Sequence, residues 1–172
     1  LHSLKQEHIL EILTAIGYSA AFMARSWPDC RIDTIEINHK SYLAALENLD
    51  RLELRSRVHV YHGDATETMK QLAATHEATS FPGYDLVFID ASKSKYLSFF
   101  TQAFDLMKPG GLILCDNVLM RGTVANDCYD PEGKHKTSVK NIRAFLDHIT
   151  ALYTMETAIL PIGDGLSMSF KK

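Results

Sequence analysis

At 172 residues the chain suits one well-cored domain and is short for two. Hydrophobic residues make up 46% and charged residues 23%, an ordinary balance for a globular protein. The net charge of −3 offers no general basic face for nucleic acid, and the one local basic cluster, Lys134, His135, Lys136 and Lys140, reads first as a solvated loop running into a helix.

The chain alternates strands and helices. His8–Ile12 is short, apolar and followed by a Gly-containing turn, as a buried first strand should be. The next stretch, Gly17–Trp27, reads as a helix halted by Pro28. Ile32–Ile37 is a second strand, after which Asn38 caps a helix over His39–Leu54 with Leu43, Leu46, Leu49 and Leu54 at helical spacing. Val58–His62 is a third strand, and a helix is expected near Thr66–Thr75. Pro82-Gly83 breaks the chain before the apolar strand Asp85–Ile89. A helix near Tyr96–Met107 stops at Lys108-Pro109-Gly110-Gly111, and strand Leu112–Cys115 follows. The loop Asn117–His135 is longer than a connection needs, which points to a functional lid. A helix near Thr137–Tyr153 then precedes two strands, Thr157–Ile162 and Leu166–Phe170, joined by Gly163-Asp164-Gly165.

This pattern predicts a single α/β domain over 1–172: a Rossmann-like, mostly parallel seven-stranded sheet with helices on both faces and a C-terminal antiparallel hairpin. Cys30, Cys115 and Cys128 are odd in number and lack CxxC spacing, which argues for a reducing compartment and against a disulfide framework or structural zinc. No apolar run nears the ~20 residues of a membrane span and no signal-peptide pattern opens the chain, so a cytoplasmic protein is expected. The first residue is Leu1, not Met, and an upstream segment is expected to be missing.

In a doubly wound sheet, ligands bind beyond the carboxyl ends of the strands. Those ends carry Glu11, Glu36, Gly63-Asp64, Asp90 and Asp116 in succession. One such acid is commonly a helix cap, but five along one rim make a negative edge. That edge repels a pyrophosphate, and neither G-x-G-x-x-G nor a P-loop is present. A ligand with hydroxyls and a positive charge fits better, as S-adenosylmethionine (SAM) does, and so does a metal cation. Glu36 is placed to accept hydrogen bonds from ribose hydroxyls, with helix capping as the alternative. Asp64 is equally a cap or an adenine neighbour, with Ala65 packing on the ring. Asp90, Asp116 and Asn117 offer three oxygen donors suited to Mg²⁺, Ca²⁺ or Mn²⁺, the alternative being a simple Asp-Asn turn. Lys93, three residues past Asp90, reads as a proton acceptor whose charged form is disfavoured, or as an exposed lysine opening a helix.

These residues carry a family resemblance. The marks are Ile9-Leu10-Glu11-Ile12 with Thr14-Ala15-Ile16-Gly17-Tyr18-Ser19, then Ile35-Glu36-Ile37-Asn38 and Gly63-Asp64-Ala65. They continue as Asp90-Ala91-Ser92-Lys93 with Tyr96, Lys108-Pro109-Gly110-Gly111, Asp116-Asn117-Val118-Leu119 with Gly122, and Gly163-Asp164-Gly165. From about His8 onward the chain resembles the metal-dependent O-methyltransferases that include catechol and caffeoyl-CoA O-methyltransferases, especially their small bacterial members. The resemblance implies SAM held by Glu11, Thr14, Gly17, Ser19, Glu36, Asp64, Ala65 and Asp90. It implies a metal on Asp90, Asp116 and Asn117, with Asp90 and Lys93 as the catalytic pair and Lys93 the general base. The implied reaction is in-line methyl transfer to a metal-chelated hydroxyl. Met120 stands where plant members carry a tryptophan, which predicts a less aromatic acceptor pocket.

Two departures stand out. Members read Glu-x-Gly-Thr in the first turn, whereas this chain has Leu13 at the Gly position, where a side chain either intrudes on the methionine moiety of the cofactor or points inward and leaves a working but altered site. Members also carry an N-terminal helical segment that covers the cofactor and helps form a homodimer, and almost none of it is present here. The expected acceptor is a catechol-like phenol or a hydroxylated tRNA uridine. The competing reading is a non-catalytic binding protein disabled by Leu13, while a nicotinamide-dependent oxidoreductase is disfavoured by the missing glycine fingerprint.

Overall fold

A computed structural model describes residues 7–172. Its elements are β1 (His8–Ile12), α1 (Tyr18–Ser26), β2 (Arg31–Glu36), α2 (His39–Arg51), β3 (Val58–His62), α3 (Ala65–Thr79) and β4 (Tyr84–Ile89). After these come α4 (Tyr96–Leu106), β5 (Met107–Cys115), α5 (Lys136–Ala151), β6 (Met155–Leu160) and β7 (Leu166–Lys171). The seven strands form one sheet in the order β3-β2-β1-β4-β5-β7-β6, parallel from β3 through β5 and antiparallel where β7 meets β5 and β6. The expected sheet and terminal hairpin are both present.

Alternation along the strands builds two apolar layers. Leu10, Ile12, Ile35, Val87, Ile89 and Ile113 face α3, α4 and α5, where Met69, Phe100, Phe145 and Ile149 meet them. Ile9, Ile32, Val58, Leu86 and Leu112 point the other way, against Ala20 and Ala24 of α1 and Leu49 of α2. Both faces are therefore covered, which is why the central strands read as nearly continuous apolar runs.

The order in which strands are added reverses between β1 and β4: β2 and β3 extend the sheet on one side of β1, and β4 and β5 on the other, all parallel. The crevice beyond the carboxyl ends of β1 and β4 is thus the topological switch point, where such folds bind ligands.

Several boundaries differ from those expected. The expected start of β5 at Leu112 is too late, because Met107 already pairs with Tyr84. The chain then bulges through 108–111 before Leu112 pairs with Leu86. Gly83 (φ 97°) permits this approach, since a Cβ there would lie 2.6 Å from the Lys108 amide. Helix α2 ends at Arg51, and Leu43 on it is 49% exposed, so the buried stripe runs through Ala45 and Leu49 instead. Helix α3 extends to Thr79, past the expected Thr75.

Candidate active site

The switch point is built from the turn after β1, the ends of β2 and β3, and the loops after β4 and β5. Glu11 is fully buried within β1. Its carboxyl accepts a hydrogen bond from Ser19 Oγ and another from Thr34 Oγ1 at 2.5 Å, and Thr34 in turn meets Thr14 Oγ1 at 2.6 Å. Burial pushes the Glu11 carboxyl up to about 7, against the two hydroxyl donors, with Asp90 and Glu36 adding repulsion. Glu11 therefore lies beneath the rim and does not form part of an open negative edge.

The turn itself is wound by residues of positive φ: Leu13 (85°), Ala15 (47°) and Gly17 (84°). Gly17 suits such a conformation, and a Cβ on it would meet Ala45 of α2 at 3.5 Å. Leu13 adopts a glycine-like conformation with a full side chain, held by its amide and that of Thr14 on the Ile35 carbonyl at 3.1 and 3.0 Å. The structure thus explains why a glycine is the expected residue there.

Glu36 ends β2 and is only 2% exposed. Its Oε2 accepts from the Ala15 amide at 2.8 Å and its Oε1 from the Asn38 amide at 2.6 Å. Each oxygen retains a second lone pair, but the β1 turn already leans on this carboxylate. The cap of α2 is Asn38, whose Oδ1 accepts from Lys40 and Ser41. Asp64 does cap α3, accepting from the Thr66 and Glu67 amides through Oδ1. Asp64 and Ala65 also line a cavity of about 200 Å³ with Leu13, Ile37, Ser92 and Phe99. This slot, apolar apart from the Asp64 carboxylate, the Ser92 hydroxyl and Lys95, suits a flat heteroaromatic ring.

Asp90 and Asp116 follow directly on the paired ends of β4 and β5, Ile89 and Cys115. Asp116 Oδ1 accepts from the Asn117 amide at 2.7 Å, and Asn117 is itself left-handed (φ 56°). Burial raises the proton affinity of Asp90, and the Asp116 charge raises it further. Among the described residues no three His, Cys, Asp or Glu side chains make a ready-made metal centre. The donor set here is two carboxylates and one amide oxygen, and two like charges on adjacent strand ends are what a hard dication relieves. These residues fit an oxygen-ligated divalent cation.

Lys93 donates to Tyr96 Oη at 2.6 Å and to the Asp116 carbonyl at 3.3 Å, and Tyr96 Oη donates to the same carbonyl at 2.7 Å. Burial lowers the Lys93 proton affinity, opposed by Asp90 and Asp116. Lys93 is thus part of the site and not a plain exposed lysine. Tyr96 carries no chemical role in the sequence pattern; the turn 92–95, closed by the Lys95 amide on the Ser92 carbonyl at 2.8 Å, brings Lys93 back over the first residue of α4.

Lys93 and Asn117 line a cavity of about 540 Å³ whose other walls come from the long loop after β5 and from Asp164. Met120, Thr123, Tyr129, Lys134 and His135 all face it. Tyr129 supplies the aromatic surface that Met120 does not, packed so closely on Gly122 that a Cβ there would lie 3.3 Å from its ring. The expected lid is therefore a wall of the site.

The described helices include none long and apolar enough to cross a membrane. All three cysteines are free, Cys30 and Cys115 buried and Cys128 exposed.

Known proteins resemble the chain along nearly its whole length. A catechol O-methyltransferase of Niastella koreensis is 34% identical over 96% of this chain and 74% of its own. A caffeoyl-CoA O-methyltransferase of Citrus natsudaidai is 29% identical over 98% of this chain and 73% of its own. The crystal structure of an O-methyltransferase from Bacillus cereus in complex with SAH superimposes with a TM-score of 0.84 at 30% identity, covering 98% of this chain and 76% of that one. The O-methyltransferase family model matches residues 2–172. With the fold, the switch-point site and this match in agreement, the chain belongs to the O-methyltransferase family.

Proposed function

We propose that this protein transfers the methyl group of S-adenosylmethionine to one hydroxyl of a small catechol-like acceptor, assisted by a divalent cation, Mg²⁺ foremost. The observation that carries the reading is Lys93, held by Tyr96 and the Asp116 carbonyl on the wall of a 540 Å³ cavity beyond the carboxyl ends of β4 and β5. The Bacillus cereus relative holds SAH, which is what SAM becomes once its methyl has left.

SAM supplies an electrophilic methyl on a positive sulfur, and the cation supplies Lewis acidity that lowers the hydroxyl pKa. Asp64, Ala65 and the apolar slot around them receive the adenine, Glu36 the ribose, and Glu11, Thr14, Gly17, Ser19 and Asp90 shape the methionine side. Asp90, Asp116 and Asn117 would hold the cation. Lys93, its proton affinity lowered by burial, accepts the acceptor's hydroxyl proton as the oxygen takes the methyl. Tyr96 and the Asp116 carbonyl fix the amine, so little motion is needed at the transition state.

A small acceptor is favoured over a tRNA uridine because Lys136, Lys140 and Arg143 share their groove with Asp127, Asp130 and Asp147. That balance offers little net attraction to phosphates. The protein is further proposed to act as a homodimer in the cytoplasm. Tyr18 and Phe22, exposed one turn apart on α1, support the first part, and the free thiols the second.

The test is a methyl-transfer assay against a catechol, unmodified tRNA and hydroxylated tRNA, each with and without chelator. Chelator-sensitive methylation of the catechol alone is expected. Methylation of hydroxylated tRNA, weakened in a salt-dependent way by substituting Lys134, Lys136 and Lys140, would establish the RNA reading instead. Failure of the protein to bind SAM, with binding restored by Leu13→Gly, would make it the non-catalytic variant.

A further inference from the structure

The loop that walls the acceptor cavity has an unusual backbone. Met120 (φ 46°), Arg121 (φ 56°) and Gly122 (φ 86°) are left-handed in succession, and two of the three carry side chains that disfavour this region. Such a run persists only where its surroundings over-determine it, and it concentrates at functional sites.

Two anchors flank it. On the N-terminal side, the amides of Leu119 and Met120 donate to the Asp164 carbonyl at 2.8 and 3.2 Å, and that of Val118 to the Gly165 carbonyl at 3.0 Å. On the C-terminal side a single side chain serves. Arg143, from the middle of α5, donates through Nε to the Val124 carbonyl at 2.9 Å. Its Nη2 reaches the Thr123 carbonyl at 3.2 Å and Asp127 Oδ1 at 2.7 Å. One planar guanidinium thus ties two successive carbonyls and a carboxylate of the loop to a helix that is itself seated in the core by Ile142, Phe145 and Ile149. Between the anchors, Thr123 bonds back to the Met120 carbonyl through its amide and its hydroxyl.

We propose that Arg143 is a positioning residue for the methyl acceptor, a latch that holds the wound turn 120–122 in the shape that faces Lys93. The inference rests on the proposed function for its kinetic meaning, while the latch itself is a property of the fold. Arg143 is not among the residues that line the cavity. It acts through Met120, Thr123 and Tyr129, which line the cavity with Lys93 and Asn117. Removing the latch leaves the cofactor side intact and lets the turn relax, so the acceptor meets a wall that must be ordered on each binding event.

The experiment compares wild type with Arg143→Ala, Arg143→Lys and Asp127→Asn by amide hydrogen exchange and by steady-state kinetics with a catechol. In Arg143→Ala, exchange at the amides of residues 122–126 should rise by about tenfold or more, the scale of losing one charge-assisted hydrogen bond. Acceptor KM should rise by about tenfold, with kcat and SAM affinity close to wild type. Arg143→Lys, unable to span all three oxygens, should be intermediate, and Asp127→Asn should show the smallest change. Unchanged exchange in 122–126 in any folded Arg143 variant overturns the latch. A fall in kcat or in SAM affinity at constant KM overturns the positioning role. The amides of α5 report folding, and if Arg143→Ala loses them, Arg143→Lys decides by the same criteria. A wild type that methylates no catechol defeats the functional reading alone, and the exchange measurement then decides the latch.

Discussion

Leu13→Gly probes the least ordinary residue of the site. Leu13 sits at φ 85°, where a residue with a Cβ is disfavoured by about 1–2 kcal/mol. Glycine removes that strain. Against it stand the greater freedom of glycine in the unfolded chain, about 0.4–1 kcal/mol, and the burial lost with a side chain that is 39% exposed, about 1 kcal/mol. These terms nearly cancel, so the melting temperature should move by no more than a few degrees. Binding should not be so balanced. The Leu13 side chain lines the roughly 200 Å³ slot opposite Asp64 and Ala65, and its removal opens the backbone to close approach by a ligand. An affinity for SAM at least about tenfold tighter in Leu13→Gly is expected, equivalent to about 1.4 kcal/mol. Calorimetric titration of both proteins with SAM, alongside thermal melts, provides the measurement. Equal or weaker SAM binding by a stably folded Leu13→Gly would refute the reasoning, because the leucine would then be a neutral or contributing wall of the site.

Three further outcomes are expected. Glu11, raised from 4.5 to about 7, binds its proton more tightly in the folded state than in the unfolded one. Its contribution to stability is therefore full below about pH 4.5 and is lost as pH rises to about 7, a change of about 3 kcal/mol. Denaturant unfolding at pH 5 and pH 8 should show wild type losing stability relative to Glu11→Gln over that interval, and parallel pH curves for the two would contradict the assignment. Asp116→Ala should abolish cation-dependent methyl transfer while SAM affinity stays within about twofold, since the loss of a ligand of one group should spare the other. A comparable loss of SAM binding would make Asp116 a structural residue instead. Asn38→Ala, which removes the side-chain cap of α2, should cost about 1 kcal/mol and lower the melting temperature by about 2–4 °C. A shift under about half a degree would mean that the cap bonds are replaced by water at no loss.

Much of the molecule was legible in the chain because the signals are local. The apolar residues Ile9, Leu10 and Ile12 and the apolar run Leu86–Ile89 mark buried strands, and an acid directly after a strand lands on the binding rim whatever the rest of the fold does. The capping residues Asn38 and Asp64 are readable for the same reason, since their partners lie two and three positions away. Where partners are remote, the reading fell short. Glu11 was placed on the rim, but Thr34, 23 residues away, and Ser19 enclose it. The start of β5 was missed because a bulge through Pro109 and Gly110 looks like a stop until Tyr84 is seen to pair with Met107.

By itself, the sequence determined the strand–helix alternation and which side chains stand at the strand ends, because periodicity, turn chemistry and position after a strand are properties of neighbouring residues. Only the tertiary structure decided what those side chains do. It set Lys93 and Tyr96 on the Asp116 carbonyl, twenty-three and twenty positions away, and leaned the Ala15 amide on Glu36. It also tied Arg143 to a loop nineteen and twenty residues upstream. These contacts depend on the order in which the strands lie in the sheet, and strand order is set by long-range packing, of which no local pattern in the chain carries a trace.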